Sequence, residues 1–159
     1  MQIEIFKVPF DKKHVLQNML ELYLYEMSGE IDDKLELNDD GLYGDPWLEY
    51  YWKEAERYPY LLTIDGKYAG FSLIREIEPK TFYVAEFFVI RKYRKNGVGM
   101  TLIKEMFRLH KGKWLINTAI NNTTAQSFWR KVAKSASCGN YKEYSIEDGR
   151  RLEWSFNNK

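Results

Sequence analysis

Arg94-Lys95-Asn96-Gly97-Val98-Gly99 stands between an apolar run, Phe82 to Ile90, and an amphipathic stretch, Met100 to His110. A strand must therefore feed a helix through a glycine turn, which requires sheet and helix packed together in one mixed architecture. The first turn of a helix carries backbone N–H groups without internal partners, and the aligned peptide dipoles add partial positive charge there. Gly97 and Gly99 have no side chain to keep a phosphate oxygen from those donors, and they tolerate the backbone angles of a tight cradle. The spacing is neither the phosphate loop of nucleotide hydrolases nor the three-glycine dinucleotide fingerprint. On the glycines alone, a ligand loop and an ordinary turn are equal readings.

The rest of the chain switches between the same two periods. Gln2 to Val8 alternates around Ile3, Ile5 and Phe6 and reads as a strand ended by Pro9. Asp11 can cap a helix on which Val15, Met19, Leu22 and Tyr23 recur, and Asp45-Pro46 can open a second, shorter helix. Tyr60 to Ile64 and Lys67 to Ile77 flank Asp65-Gly66, a two-residue hairpin signal, and Thr81 to Ile90 adds a third antiparallel strand after the turn Glu78-Pro79-Lys80. Val98, Leu102, Ile103, Met106 and Phe107 share one helix face. Lys113 to Ala119 follows as a buried strand. Asn121-Asn122 caps a helix carrying Ala125, Phe128, Trp129 and Val132, and a hairpin around Asp148-Gly149 closes the chain. No linker or repeat divides the 159 residues, so one domain over 1–159 is expected.

Composition narrows the function classes. The net charge of +1 implies no polyanionic partner, so nucleic-acid binding is not expected. One cysteine, Cys138, excludes an internal disulfide and a cysteine-built zinc site, and two histidines leave little for a metal. No apolar run approaches the roughly 18 residues of a membrane span, and a cytoplasmic protein is expected.

The element order, and the residues at three of its joints, resemble the GNAT superfamily of N-acetyltransferases. Val89 through Gly99 matches that superfamily's acetyl-CoA loop, a strand valine followed by Arg/Gln-x-x-Gly-x-Gly/Ala opening a helix. Asn122-Thr123-Thr124-Ala125-Gln126-Ser127-Phe128-Trp129 is similar to its second signature, Asn-x-x-Ala-x-x-Phe-Tyr. The resemblance implies a central, mostly antiparallel sheet with a splayed parallel pair and helices on both faces. It also implies acetyl-CoA as cofactor. Within the loop Arg94 to Met100, the N–H groups of Lys95, Asn96, Gly97, Gly99 and Met100 would surround the pyrophosphate. Backbone groups of Phe88, Val89 and Ile90 would pair with the pantetheine arm, Asn122 would bond the pantetheine or thiol end, and Phe128 would pack beside the cofactor. The charge balance agrees, since Arg91 to Lys113 holds eight Lys/Arg against one acid, Glu105. Lys104, Arg108 and Lys111 read more readily as the solvated face of an amphipathic helix, where charge is expected anyway, than as cofactor contacts.

The match breaks at Trp129, where the family commonly has a tyrosine that protonates the departing thiolate. An indole N–H donates hydrogen bonds but is no acid at usable pKa. Tyr141 and Tyr144 on the next strand are substitutes, each also readable as an ordinary core or surface tyrosine. Acetyl transfer to an amine needs a neutral nitrogen, whereas an ammonium titrates near about 10. Glu86 is the candidate base: alternation sets it on the sheet face opposite Phe87 and Val89, where burial would raise its pKa. A salt bridge to Arg75 is the competing reading.

Glu26 to Glu49 holds nine acids and one base, Lys34. The superfamily's early helices line its acceptor site, so these acids suggest a cationic acceptor, either a small-molecule amine or a lysine or peptide amine. A covalent route through Cys138 is not expected without a paired histidine. Trp129 also motivates a rival reading, a non-catalytic acyl-CoA sensor. The C-terminal hairpin could pair two copies as a homodimer.

Overall fold

A computed structural model describes residues 1–158. In chain order the elements are β1 (Ile3–Lys7), α1 (Lys13–Met27), β2 (Arg57–Ile64), β3 (Lys67–Glu78), β4 (Thr81–Val89), α2 (Val98–Leu109), β5 (Lys113–Ala119), α3 (Thr123–Ala136), β6 (Tyr141–Ile146) and β7 (Arg151–Asn157). The strands form one sheet ordered β1-β2-β3-β4-β5-β7-β6. Every neighbouring pair is antiparallel except β4 and β5. This is the expected mixed α/β sheet, and its hairpin turn at Asp65-Gly66 has both residues at positive φ, 49° and 78°. Those angles match the twist of the flanking strands.

Amphipathic patterning decides which helix covers which face. Val98, Leu102, Ile103 and Met106 of α2, with Trp129 and Val132 of α3, pack on Trp114 and Trp154 of the sheet. Leu16, Met19 and Leu20 of α1 cover the other face over Leu61, Phe71 and Leu73. A fully buried side chain of this size stabilises the fold by roughly 1.5–3 kcal/mol, so both faces are closed by their helices.

Two features of β4 prepare the site. It pairs with β5 only from Thr81 to Tyr83, opposite Lys113 to Leu115, and the two strands then separate. On its other side Leu73 opposes Glu86 while Ile74 opposes Val84, which leaves Ala85 as a bulge. A bulge bends its strand and increases the local twist, so β4 turns away from β5 where the bulge occurs.

Three local expectations need correction. Asp45-Pro46 opens no second helix but only a 3-10 turn, Leu48–Trp52. Its aromatic residues Tyr50, Tyr51 and Trp52 are indifferent helix formers, and strand β2 begins five residues later. Asp11 lies inside a 3-10 turn, Phe10–Lys12, and does not cap α1. Leu22 is exposed, because the buried stripe of α1 runs through Leu16, Met19 and Leu20.

Candidate functional site

The loop between β4 and α2 is pinned at both ends. Ile90 N–H donates to the Ala69 carbonyl at 2.7 Å, and Val98 is buried in the core. Between them the chain makes a 3-10 turn, Arg91–Tyr93, and passes through Lys95 at φ 65° and Gly97 at φ 75°. Among the described residues, the N–H groups of Lys95, Gly97, Val98, Gly99 and Met100 meet no acceptor in the protein, and no side chain caps α2. Asn96 lies exposed among them. A Cβ on Gly97 would meet nothing within 4 Å, so the space over the turn is open. This concentration of donors and helix dipole suits a phosphate-bearing ligand. Gly99 has a different reason to be glycine: a Cβ there would lie 3.3 Å from the Phe128 ring.

Arg94 is not a free phosphate ligand. Its Nη1 and Nη2 donate to both oxygens of Glu26 at 3.0 and 2.6 Å, while Nε donates to the Val89 carbonyl at 2.8 Å. Arg91 adds a third bond to Glu26 at 3.0 Å. Burial tends to raise the Glu26 pKa, but the two guanidinium groups outweigh it and hold the acid low. The motif arginine thus ties the end of α1 to the loop.

Backbone direction corrects two further expectations. N–H groups of successive strand residues point to opposite edges, and Ile90 points to β3. Phe88 therefore points there as well, and its carbonyl lies 2.6 Å from the Cβ that Gly70 would carry. Phe88 and Ile90 cannot pair with a ligand arm in the β4–β5 gap. Val89 and Phe87 face that gap.

The gap opens into a cavity of about 300 Å³ whose wall includes Tyr23, Tyr83, Glu86, Asn122, Trp129 and Arg151. Tyr83, Ala85 and Glu86 also border a second cavity of about 470 Å³, under the 3-10 turn Leu48–Trp52. Glu86 is thus the junction of the two, and the bulge at Ala85 is what turns it there. Burial pushes its carboxyl up to about 7, although the Tyr23 hydroxyl and Arg151 favour the charged form. No salt bridge to Arg75 forms among the described residues.

On α3, Asn122 performs two tasks. Its Oδ1 accepts from Ala125 N–H at 3.2 Å as the helix cap, and the residue borders the first cavity. Phe128 stacks with Phe87 at 5.7 Å between ring centroids, and Trp129, 6% exposed, meets Phe87 edge to face. The strand tyrosines are elsewhere. Tyr141 and Tyr144 border neither cavity, and the Tyr144 hydroxyl donates to Glu153 at 2.7 Å. Burial and Glu153 push the Tyr144 pKa up to about 12. The cavity wall supplies Tyr23 and Tyr83 instead, both held protonated by burial. Sequence reasoning missed them in this role. The helical period marked Tyr23 as buried, but nothing local marked Tyr83 or Arg151.

Of the nine acids in 26–49, Glu26 pairs with Arg91 and Arg94 and Glu49 with Lys53, while Asp32 and Asp45 alone border the cavities. Glu21, just before them, accepts from the backbone of Tyr43 and Gly44. On the α2–α3 face, Lys104, Arg108 and Lys111 line a cleft of about 260 Å³ with Cys138. No helix among the described residues is long and apolar enough to cross a membrane.

The sequence matches the acetyltransferase (GNAT) family over residues 21–133. No curated protein matches the sequence. Similar solved structures include the PaiA N-acetyltransferase of Thermoplasma acidophilum in complex with coenzyme A, at 14% identity and TM-score 0.70, covering 99% of each chain. A GNAT-family acetyltransferase of Staphylococcus aureus is similar at 16% identity and TM-score 0.70, over 99% of this chain and 100% of that one. An acetyltransferase of Streptococcus agalactiae is similar at 18% identity and TM-score 0.67, over 98% of each.

Proposed function

Because this chain belongs to the acetyltransferase (GNAT) family, we propose that it is an N-acetyltransferase that takes the acetyl group of acetyl-CoA to a primary amine by direct attack. The observation that carries the reading is Glu86, a carboxyl held near neutrality where the two cavities meet. The donor side fits the cofactor. The unpartnered N–H groups around Gly97 and Gly99 would hold the pyrophosphate, with Asn96 beside them. Val89 N–H and the free Nδ2 of Asn122 would hold the pantetheine, and Lys104 and Lys111 would face the nucleotide end.

Acetyl-CoA supplies an activated thioester, whose C–S bond is replaced by a C–N bond with release of the thiol. Glu86 takes the proton that makes the amine nucleophilic, a task matched to its pKa of about 7. Backbone N–H groups of Phe87 and Val89 face the gap where an oxyanion would need donors. Tyr23 or Tyr83 returns a proton to sulfur, in place of the tyrosine that Trp129 displaces. The exposed, free Cys138 suits the reducing cytoplasm, where we place the reaction.

Calorimetric titration with acetyl-CoA followed by thiol release across a panel of amines tests this reading. We expect binding and acceptor-dependent release. A folded sample that fails to bind refutes it. Binding without release would favour the sensor reading that Trp129 motivates.

A further inference from the structure

The second cavity is bipolar. Arg57 and Arg75 occupy directly opposed positions on β2 and β3, and so share one face of the sheet. Like charges in directly opposed positions destabilise a strand pair, and an anion between them would reverse that cost. Arg75 makes no hydrogen bond or ion pair with any described residue, and its neighbour on β4 is Tyr83, a neutral phenol. Arg57 is held in place without being used up. Its Nε donates to Glu54 at 2.7 Å, and its guanidinium carbon lies 5.7 and 5.5 Å from the Tyr50 and Tyr51 ring centres. The terminal nitrogens of both arginines have no partner among the described residues. Asp45 and Glu86 line the same cavity, and the Asp45 charge acts on Glu86.

We propose, resting on the acetyl-transfer reading above, that the acceptor is a free amino acid: its carboxylate lies between Arg57 and Arg75 and its amine at Glu86. The register sets the scale. Glu86 opposes Leu73, two residues from Arg75 on the same strand face, a separation of about 7 Å. An α-amino acid holds its nitrogen and carboxylate oxygens about 3 Å apart, and with a hydrogen bond of about 3 Å at each end it spans about 8 to 9 Å. Long arginine side chains absorb the difference. Trp47, Tyr51 and Leu73 complete the wall, which suits an apolar side chain on the acceptor, and about 470 Å³ is room for one amino acid. A polyamine fits poorly, because the Arg75 guanidinium, which has no ion-pair partner among the described residues, would repel it. The cationic acceptor suggested by the acidic segment is thereby replaced by a zwitterion.

Thiol release should be measured with the twenty free amino acids, with the decarboxylated counterparts of the best of them, and with spermidine. We expect the best amino acid to exceed its decarboxylated counterpart and spermidine by about 100-fold in kcat/KM. Arg75→Met should raise the KM for that amino acid about 10- to 100-fold, the range for a charged hydrogen bond. The KM for acetyl-CoA should stay unchanged, the rate with the decarboxylated amine should not fall, and Arg75→Lys should restore part of the loss. Equal rates with and without the carboxylate would overturn the proposal, as would an Arg75→Met enzyme with unchanged amino-acid KM. If no amine is acetylated, the activity reading fails on its own. Calorimetry with the amino acids and acetyl-CoA then decides the acceptor site, supporting it if one binds and Arg75→Met abolishes binding, and overturning it if none binds.

Discussion

Glu86→Gln should produce a protein that is more stable at alkaline pH and a poorer catalyst. Burial lifts the Glu86 carboxyl from 4.5 to about 7. At about 1.36 kcal/mol for each tenfold, keeping it ionised in the folded state costs about 3 kcal/mol. Glutamine removes that charge but weakens the favourable contact with Tyr23 and Arg151, which offsets about 1 kcal/mol. The net gain is about 2 kcal/mol. Because the folded-state pKa is raised, the wild-type carboxyl contributes its full stability below pH 4.5 and loses it as pH rises through about 7. The variant's advantage should therefore be small near pH 4.5 and complete above about pH 8, where it corresponds to roughly 4–8 °C in Tm for a chain of this size. Thermal unfolding across that range measures the stability, and thiol release at each pH measures turnover, which in the wild type should rise tenfold per pH unit below about 7. A variant whose advantage over the wild type is no larger at high pH than at low pH would show that Glu86 is not forced into an unfavourable ionised state. Unchanged turnover would remove it from proton transfer.

The glycine turn offers a second test. Gly97→Ala places a Cβ at φ 75°, a left-handed conformation that costs an alanine about 1–2 kcal/mol, so Tm should fall and calorimetry should show weaker acetyl-CoA binding. Gly97→Asn should recover most of the stability, since asparagine accepts that conformation, while its side chain still obstructs the donors. Tyr144→Phe should leave thiol release within about twofold of wild type, because that hydroxyl bonds Glu153 outside both cavities; a larger loss would return Tyr144 to the mechanism.

The Asp65-Gly66 hairpin, the helix that follows Gly97 and the Asn122 cap were readable because each depends on a few neighbouring backbone angles and one or two side chains. Asp45-Pro46 misled for the same reason: a good local start does not make a helix when the chain beyond it joins a strand. Arg94, a motif position, is clasped by Glu26, 68 residues away. The motif marks a position, while its bonding partner comes from α1.

Short-range periodicity and turn chemistry determined the alternation of strand and helix and the glycine turn that opens α2, and the resemblance to the acetyltransferase family singled out Glu86 as the acid worth watching. The tertiary structure decided what surrounds that acid. The bulge at Ala85 and the early parting of β4 from β5 made the cavities, and strand register set Arg57 against Arg75 and Glu86 against Leu73. Register is settled by burial of whole sheet faces at once, an energy summed over residues far apart in the chain, and no local window of residues contains it.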